Sequence, residues 1–149
     1  MPTIKAFRMD GLGNKFIIVD RRKDIVNITK EKIIHLGNLE SFHREIGFDQ
    51  IIFIEREIDK AFPITIFNSD GGEVSACGNG SRCVAYLLGK DLNTKEVKLK
   101  TNNRLLNAKI VGHLDVELAM GKPIFEWNKI PLSKNLDHSN ITLNIEDKV

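Results

Sequence analysis

The sequence predicts an α+β fold in which strands wrap around one central helix. Short apolar runs rich in β-branched and aromatic residues recur over the first 120 residues, and alternation with period two is clearest at 97–100. Only two windows have helical periodicity. The second window, residues 79–90, carries little charge and is expected to be buried on most sides. The strands are therefore expected to surround it.

Composition limits the possible functions before any motif is considered. The chain has 149 residues, which suits one ordinary domain. It has 22 basic and 20 acidic side chains, a net charge of +2 that argues against a dedicated nucleic-acid binder. The sequence contains neither a run of about 18 apolar residues nor the apolar core of a secretory signal. The expected location is the cytoplasm, with no membrane association.

Seven segments are predicted to be strands, and one further window a surface helix. The helix window, residues 29–40, places Ile33, Ile34 and Leu36 on one side. From residue 121 no sustained period is found until Ile141, Leu143 and Ile145 alternate with polar residues like one more strand. The predicted strands are residues 4–9, 16–20, 51–56, 63–68, 97–101, 105–111 and 114–120.

A glycine-rich run at residues 67–83 carries most of the chemistry-bearing residues. Gly78, Asn79 and Gly80 lead into the predicted central helix, so they are expected to present free N–H groups at its positive end. Such an end binds carboxylates or phosphates, and a cysteine beside it, Cys77, is favoured as a thiolate. From these residues alone, a catalytic Cys77 and a structural turn are both open. Cys83, inside the apolar helix, is predicted to be core.

Nucleotide-binding motifs are excluded by their spacing. A Walker phosphate loop needs Gly-Lys followed by Ser or Thr, and no such run is present. A dinucleotide fingerprint needs a third glycine, but the pairs at 11 and 13 and at 78 and 80 lead to Phe16 and Cys83 instead.

Two further polar elements, residues 10–14 and 47–50, are predicted to be loops between strands. Loops on a rigid scaffold often bind ligands. Neutral amides can both donate and accept, which suits a zwitterionic ligand, but each amide could equally serve a turn or a helix cap. The candidate amides are Asn14, Gln50, Asn68 and Asn79.

Four segments resemble, in order, motifs of the N-terminal half of diaminopimelate epimerases: residues 9–14, 47–50, 67–71 and above all 76–83. The resemblance spans most of residues 3–127, and its Cys-Gly-Asn-Gly-x-Arg-Cys run is highly specific. It implies two similar lobes, each a strand-rich, barrel-like mixed sheet wrapped around a central helix, with the substrate between them.

The resemblance also implies a reaction, the cofactor-independent interconversion of LL- and meso-diaminopimelate in lysine and peptidoglycan biosynthesis. One cysteine, as thiolate, removes the α-proton while a second, as thiol, protonates the opposite face. Cys77 matches the first of these. The positions that match substrate contacts are Asn14, Gln50, Asn68, Gly78 and Asn79, the last two through backbone N–H groups to the α-carboxylate.

The resemblance places the partner cysteine in a second lobe, beyond residue 149. Residues 1–120 are expected to form the lobe that carries Cys77, and residues 121–149 the connection to the second lobe and its beginning. Cys83 cannot replace the partner because it lies in the same helix as Cys77. The chain is therefore expected to be half an enzyme, inactive alone. Lys15 departs from the family, which commonly has an acidic residue there.

Two other functions are left open. One is a proline- or hydroxyproline-type racemase, which also uses opposed thiols; the other is a lone lobe that binds an amino acid without catalysis. The expected partner is a small-molecule substrate, with a homodimer or a separate second-lobe chain as a protein partner. Nucleic acid and cofactors are not expected as partners. No metal is expected either, since the four histidines have no metal-ligand spacing: His35, His43, His113 and His138.

Overall fold

A mixed sheet curls around one helix, as the sequence predicts. The structure, a computed structural model, describes residues 4–38, 40–41, 44–45 and 47–142. Its strands are β1 (Ala6–Gly11), β2 (Asn14–Asp20), β3 (Glu40–Ser41), β4 (Arg44–Glu45), β5 (Gln50–Ile54), β6 (Phe62–Asn68), β7 (Glu73–Val74), β8 (Glu96–Lys100), β9 (Leu105–Gly112) and β10 (Asp115–Ala119). Its helices are α1 (Lys30–Gly37), α2 (Gly78–Asp91) and a short 3-10 helix (Trp127–Lys129). Among these described helices, none is long and apolar enough to span a bilayer.

The main sheet has the order β1-β2-β5-β6-β8-β9-β10, with β7 paired to β6. The β2–β5 and β6–β8 pairs are parallel and the others antiparallel. Helix α2 contacts both edge strands, β1 and β10, as well as β2, β5, β8 and β9 between them. The sheet is therefore a half-barrel with α2 in its interior, which confirms the predicted α+β architecture.

Burial on both faces explains the apolar run of β5. Ile52 and Ile54 face α2 and belong to the larger core cluster, whereas Ile51 and Phe53 face the other way. On that second face they join Ile33 of α1 in a smaller cluster. A strand covered on both sides carries apolar residues at consecutive positions.

The seven predicted strands are all present, with ends displaced by one or two residues. The three two-residue strands β3, β4 and β7 were not predicted, because two residues carry no detectable alternation. Helix α1 is shorter than the predicted 29–40, since Asn38 caps it. The alternation at 141–145 lies mostly outside the described residues, and so does His43.

The prediction of a loop at residues 10–14 was wrong in its extent. Strand β1 continues to Gly11 and β2 begins at Asn14, so the turn consists of Leu12 and Gly13 alone. Both have positive φ, 50° and 89°, as in the two-residue turns that match the twist of a β-hairpin. Asn14 is therefore held by the sheet ladder rather than by a loop.

A charged cluster ties the end of β2 to the end of α2, and it makes stability depend on pH. The guanidinium of Arg22 donates to Asp20 at 2.6 and 2.9 Å and to Asp91 at 2.7 Å. The hydrogen bonds from Arg22 lower the pKa of the Asp20 carboxyl below its ordinary value of 3.8. A carboxyl with a lowered folded-state pKa stabilises the fold above its unfolded pKa, and that stabilisation is lost as pH falls through the folded value.

The substitution Asp20→Asn should therefore lower the free energy of unfolding by about 1 kcal/mol near neutral pH, since the pair is partly exposed. The difference from wild type should shrink as pH falls below 3.8. Urea unfolding at neutral pH and near pH ~3 measures it. Asp24→Asn, at an exposed carboxyl, is the matched control. A difference independent of pH would contradict the assigned role of the carboxylate charge.

Candidate active site

The first turn of α2 presents Cys77 at the positive end of the helix. Cys77 is the N-cap, with extended backbone at φ −147°, and its Sγ accepts from the backbone N–H of Gly80 at 3.4 Å. Its carbonyl oxygen accepts the N–H of Ser81 at 2.9 Å. Cys77 is partly exposed. The thiol is thus held at a helix N-terminus, where a negative charge is stabilised.

Gly80 allows this turn to lie directly on the sheet. A Cβ at Gly80 would come within 2.6 Å of Ile52 Cδ1 and 3.2 Å of Phe16 Cε1. Both side chains are fully buried beneath the helix. The start of α2 is therefore packed against β2 and β5, which fixes the position of Cys77 relative to those strands.

Cys83 is a core residue, as predicted. Its side chain is 7% exposed and packs within the cluster around α2. A Cβ at Gly11 would lie 3.0 Å from Cys83 Sγ, so the glycine of the β1–β2 hairpin makes room for the thiol. Burial raises the pKa of Cys83. A buried thiol with a raised pKa is a poor nucleophile or base at neutral pH.

Three of the candidate amides lie at one end of the sheet, on the face that carries α2. Each is two positions from a core residue of its own strand, and residues two apart on a strand share a face. Register aligns them, because Phe16 pairs with Gln50 and Gln50 pairs with Asn68. The pairs of amide and core residue are Asn14 with Phe16, Gln50 with Ile52, and Asn68 with Ile66.

This end of the sheet is also where α2 begins. Phe16 and Ile52 are the residues that Gly80 packs against, and the amides lie one side-chain position further out along the same face. The amides and the first turn of α2 therefore border one region. That region combines hydrogen-bonding side chains with the free N–H groups of a helix end.

Gln50 and Asn68 form a directly bonded pair. Gln50 Nε2 donates to Asn68 Oδ1 at 2.9 Å. Gln50 Oε1 is buried and, among the residues that the structure describes, it has no hydrogen-bond donor. A buried acceptor without a donor is costly unless a ligand or water supplies one. The Gln50 oxygen can therefore accept from an ammonium or another N–H group.

Asn14 and Asn79 form a second bonded pair, which ends in charged groups. Asn79 Nδ2 donates to Asn14 Oδ1 at 2.9 Å, and Asn14 Nδ2 donates to Asp49 Oδ2 at 3.3 Å. The guanidinium of Arg82 donates to Asn79 Oδ1. The predicted site residues thus fall into two bonded pairs beside Cys77 and Gly78. Gln50 was predicted in a loop but is the first residue of β5.

Asp49 and Arg82 take part in this arrangement, although neither was predicted as a site residue. Each is adjacent or close in sequence to a candidate amide, since Asp49 precedes Gln50 and Arg82 follows Asn79 by one helical turn. In the sequence, the signal that could have identified them was a charged side chain close to a candidate amide.

Within the described part of the chain, no group of three or more His, Cys, Asp or Glu side chains could hold a metal ion.

Comparison of sequences gives the same family that the motifs suggested. Residues 6–126 match the family described as diaminopimelate epimerase. A diaminopimelate epimerase of Pelagibacter ubique is 45% identical over 145 residues, which is 97% of this chain and 52% of the relative. One from Acidiphilium cryptum is 38% identical over 136 residues, 91% of this chain and 48% of the relative. The chain spans about half the length of these curated relatives.

Solved structures with this fold are more distant in sequence. A PhzF-family phenazine biosynthesis protein of Bacillus anthracis superposes with a TM-score of 0.54 at 22% identity, over 74% of this chain and 36% of the other. A predicted epimerase of Pseudomonas aeruginosa superposes with a TM-score of 0.53 at 18% identity, over 74% of this chain and 40% of the other. At these identities the likeness concerns the fold alone.

Proposed function

The chain belongs to the diaminopimelate epimerase family, and on that basis we propose that it carries one half of the active site of a cofactor-independent diaminopimelate epimerase. The observation that carries the proposal is the placement of the Cys77 thiol at the N-terminus of α2, beside a group of strand-end amides. The reaction is the interconversion of LL- and meso-diaminopimelate. Such an enzyme acts in lysine and peptidoglycan biosynthesis, in the cytoplasm.

Cys77, as thiolate, would remove the proton from Cα of the substrate. The backbone N–H groups of Gly78 and Asn79 would bind the α-carboxylate at the positive end of α2. As the proton leaves, negative charge accumulates on that carboxylate, so donors already aimed at it lower the barrier. Both the base and the charge-stabilising groups thus belong to one helix end.

The amides would hold the rest of the substrate. Asn14 donates one of its two side-chain N–H groups to Asp49, and Asn79 donates one of its two to Asn14; the second N–H of each is suited to a carboxylate. Gln50 Oε1, which is buried without a donor among the described residues, is suited to an ammonium. Asn68 orients that oxygen by accepting from Gln50 Nε2. A zwitterion such as diaminopimelate needs both kinds of group.

The thiol on the opposite face of the substrate would come from outside residues 1–149. The sequence holds two cysteines, and Cys83 is buried further along the helix that Cys77 caps. We assign residues 1–120 to the lobe that carries Cys77, and residues 121–149 to the connection to a second lobe and the beginning of that lobe. That lobe would follow in a longer protein or come from a separate second-lobe chain; a homodimer of this chain is the alternative protein partner.

Exchange of the Cα proton tests the role of Cys77 without requiring a second thiol. LL- or meso-diaminopimelate is incubated with the 149-residue chain in heavy water, and deuterium at Cα is followed by mass spectrometry. We expect exchange without inversion, lost by at least about 100-fold in Cys77→Ala, because a positioned base contributes that much. Cys83→Ala is the matched control and should retain exchange.

The opposite results are equally informative. Exchange that survives Cys77→Ala would contradict the role of Cys77. Inversion from LL to meso by the homogeneous chain would contradict the proposal that the opposing thiol lies elsewhere. Binding of diaminopimelate with no exchange at all would favour a lobe that binds an amino acid without catalysis.

A further inference from the structure

We propose that Asp49 and Arg82 are positioning residues that set the orientation of the Asn14 and Asn79 amides toward the ligand. The inference rests on the proposed function for the identity of that ligand. It extends the function to two residues that are not themselves assigned a contact with substrate. A series of hydrogen bonds joins the four side chains, from Arg82 to Asn79, from Asn79 to Asn14 and from Asn14 to Asp49.

In this series of hydrogen bonds, the charged groups at the two ends fix which atom of each amide donates and which accepts. An ionised carboxylate can only accept, so Asp49 requires Asn14 to turn its NH₂ group toward it, at 3.3 Å. The Asn14 oxygen then faces Asn79, whose NH₂ donates to it at 2.9 Å. A guanidinium can only donate, and Arg82 meets the remaining oxygen of Asn79. Rotation of either amide by 180° would therefore place like groups together at two contacts.

Asp49 is itself held firmly enough to act as a fixed end. Its Oδ2 also accepts from the backbone N–H of Lys15 at 2.8 Å. Its backbone N–H donates to the Lys15 carbonyl at 2.9 Å, and its carbonyl accepts the N–H of Ser69 at 3.0 Å. Asp49 thus joins the ends of β2, β5 and β6, the strands that carry Asn14, Gln50 and Asn68.

The consequence concerns which atoms remain for a ligand. Each of the two amides uses one N–H and one oxygen lone pair within the chain of hydrogen bonds, so each keeps one N–H for a ligand. Because Asp49 and Arg82 fix both ends, these N–H groups are oriented before the ligand arrives. Groups that are already oriented need less ordering on binding, which raises affinity.

NMR of the ¹⁵N-labelled protein tests this series of hydrogen bonds without any ligand. Asp49→Ala should move the side-chain amide signals of Asn14 and also those of Asn79, which Asp49 does not touch. Asp49→Asn should restore both, because its oxygen can still accept from Lys15 N–H and Asn14. In an Asn14→Ala background, Asp49→Ala should no longer move Asn79. Asp24→Ala, an exposed carboxyl elsewhere, is the control.

The proposal would be overturned if the Asn79 signals did not move in Asp49→Ala, or if they still moved when Asn14 was absent.

Binding of meso-diaminopimelate supplies a second readout. The dissociation constant for meso-diaminopimelate should rise roughly tenfold in Asp49→Ala, the equivalent of one hydrogen bond, and recover in Asp49→Asn. Asp49→Ala should add nothing to Asn14→Ala. Failure of the wild-type chain to bind would count against the proposed function, while the amide signals would still decide the positioning role of Asp49.

Discussion

Iodoacetamide should alkylate Cys77 roughly 100 times faster than Cys83 at neutral pH. Cys77 is partly exposed, whereas Cys83 is 7% exposed and must await a local opening of the half-barrel. An opening that costs about 3 kcal/mol reduces a rate by about 100-fold. Burial also raises the pKa of Cys83, which lowers its thiolate fraction further.

The chain offers a simple assay for this difference. Arg82 separates the two cysteines, so trypsin releases them on different peptides, residues 61–82 and 83–90. Brief alkylation, acid quenching and mass spectrometry then give both rates. In denaturing urea the rates should become similar, which isolates the effect of the fold. Equal rates in the native protein, or faster reaction of Cys83, would contradict the roles assigned to the two thiols.

Phe16→Ala should lower the free energy of unfolding by about 3 to 5 kcal/mol, the usual cost of removing a buried phenyl ring. Phe16 is 0% exposed and lies between β2 and the first turn of α2, where it contacts the site of Gly80. A loss of this size is a large part of the stability of an ordinary domain. The cavity would also lie directly beneath Cys77 and its helix end.

Urea unfolding measures this loss, with Phe125→Ala as the matched control. Phe125 is 57% exposed, so the same chemical change should cost under about 1 kcal/mol there. The wild-type slope with urea should be kept in both variants if each still unfolds in one step. Similar losses at the two positions would contradict the placement of Phe16 in the core around α2.

The core around α2 was accessible from sequence because one helix and several strands carried simple apolar patterns. Val84, Ala85 and Leu88 form an apolar stripe along α2, and the structure buries all three. Val97 and Leu99 alternate with exposed lysines in β8, as the period of two predicted. Patterns of this kind predict which residues are buried, because the burial of apolar surface drives folding.

The candidate site could be predicted from the sequence in part. Cys77, Gly78 and Asn79 could be identified because a glycine-rich run before an apolar helix marks a helix end with free N–H groups. The limits of the polar loops were less predictable. Asn14 and Gln50 proved to be the first residues of strands, because a two-residue hairpin turn and a parallel pairing extend the ladders further than local propensity indicates.

Local pattern and motif are enough to predict the fold class, the family and the residue types at the site. Which amides meet, and which way each one points, depends on the tertiary structure. Asn14 and Asn79 are 65 positions apart, and Gln50 and Asn68 are 18 apart. Hydrogen bonds act over about 3 Å, so such contacts depend on strand register and on where α2 packs, and no local pattern contains that information.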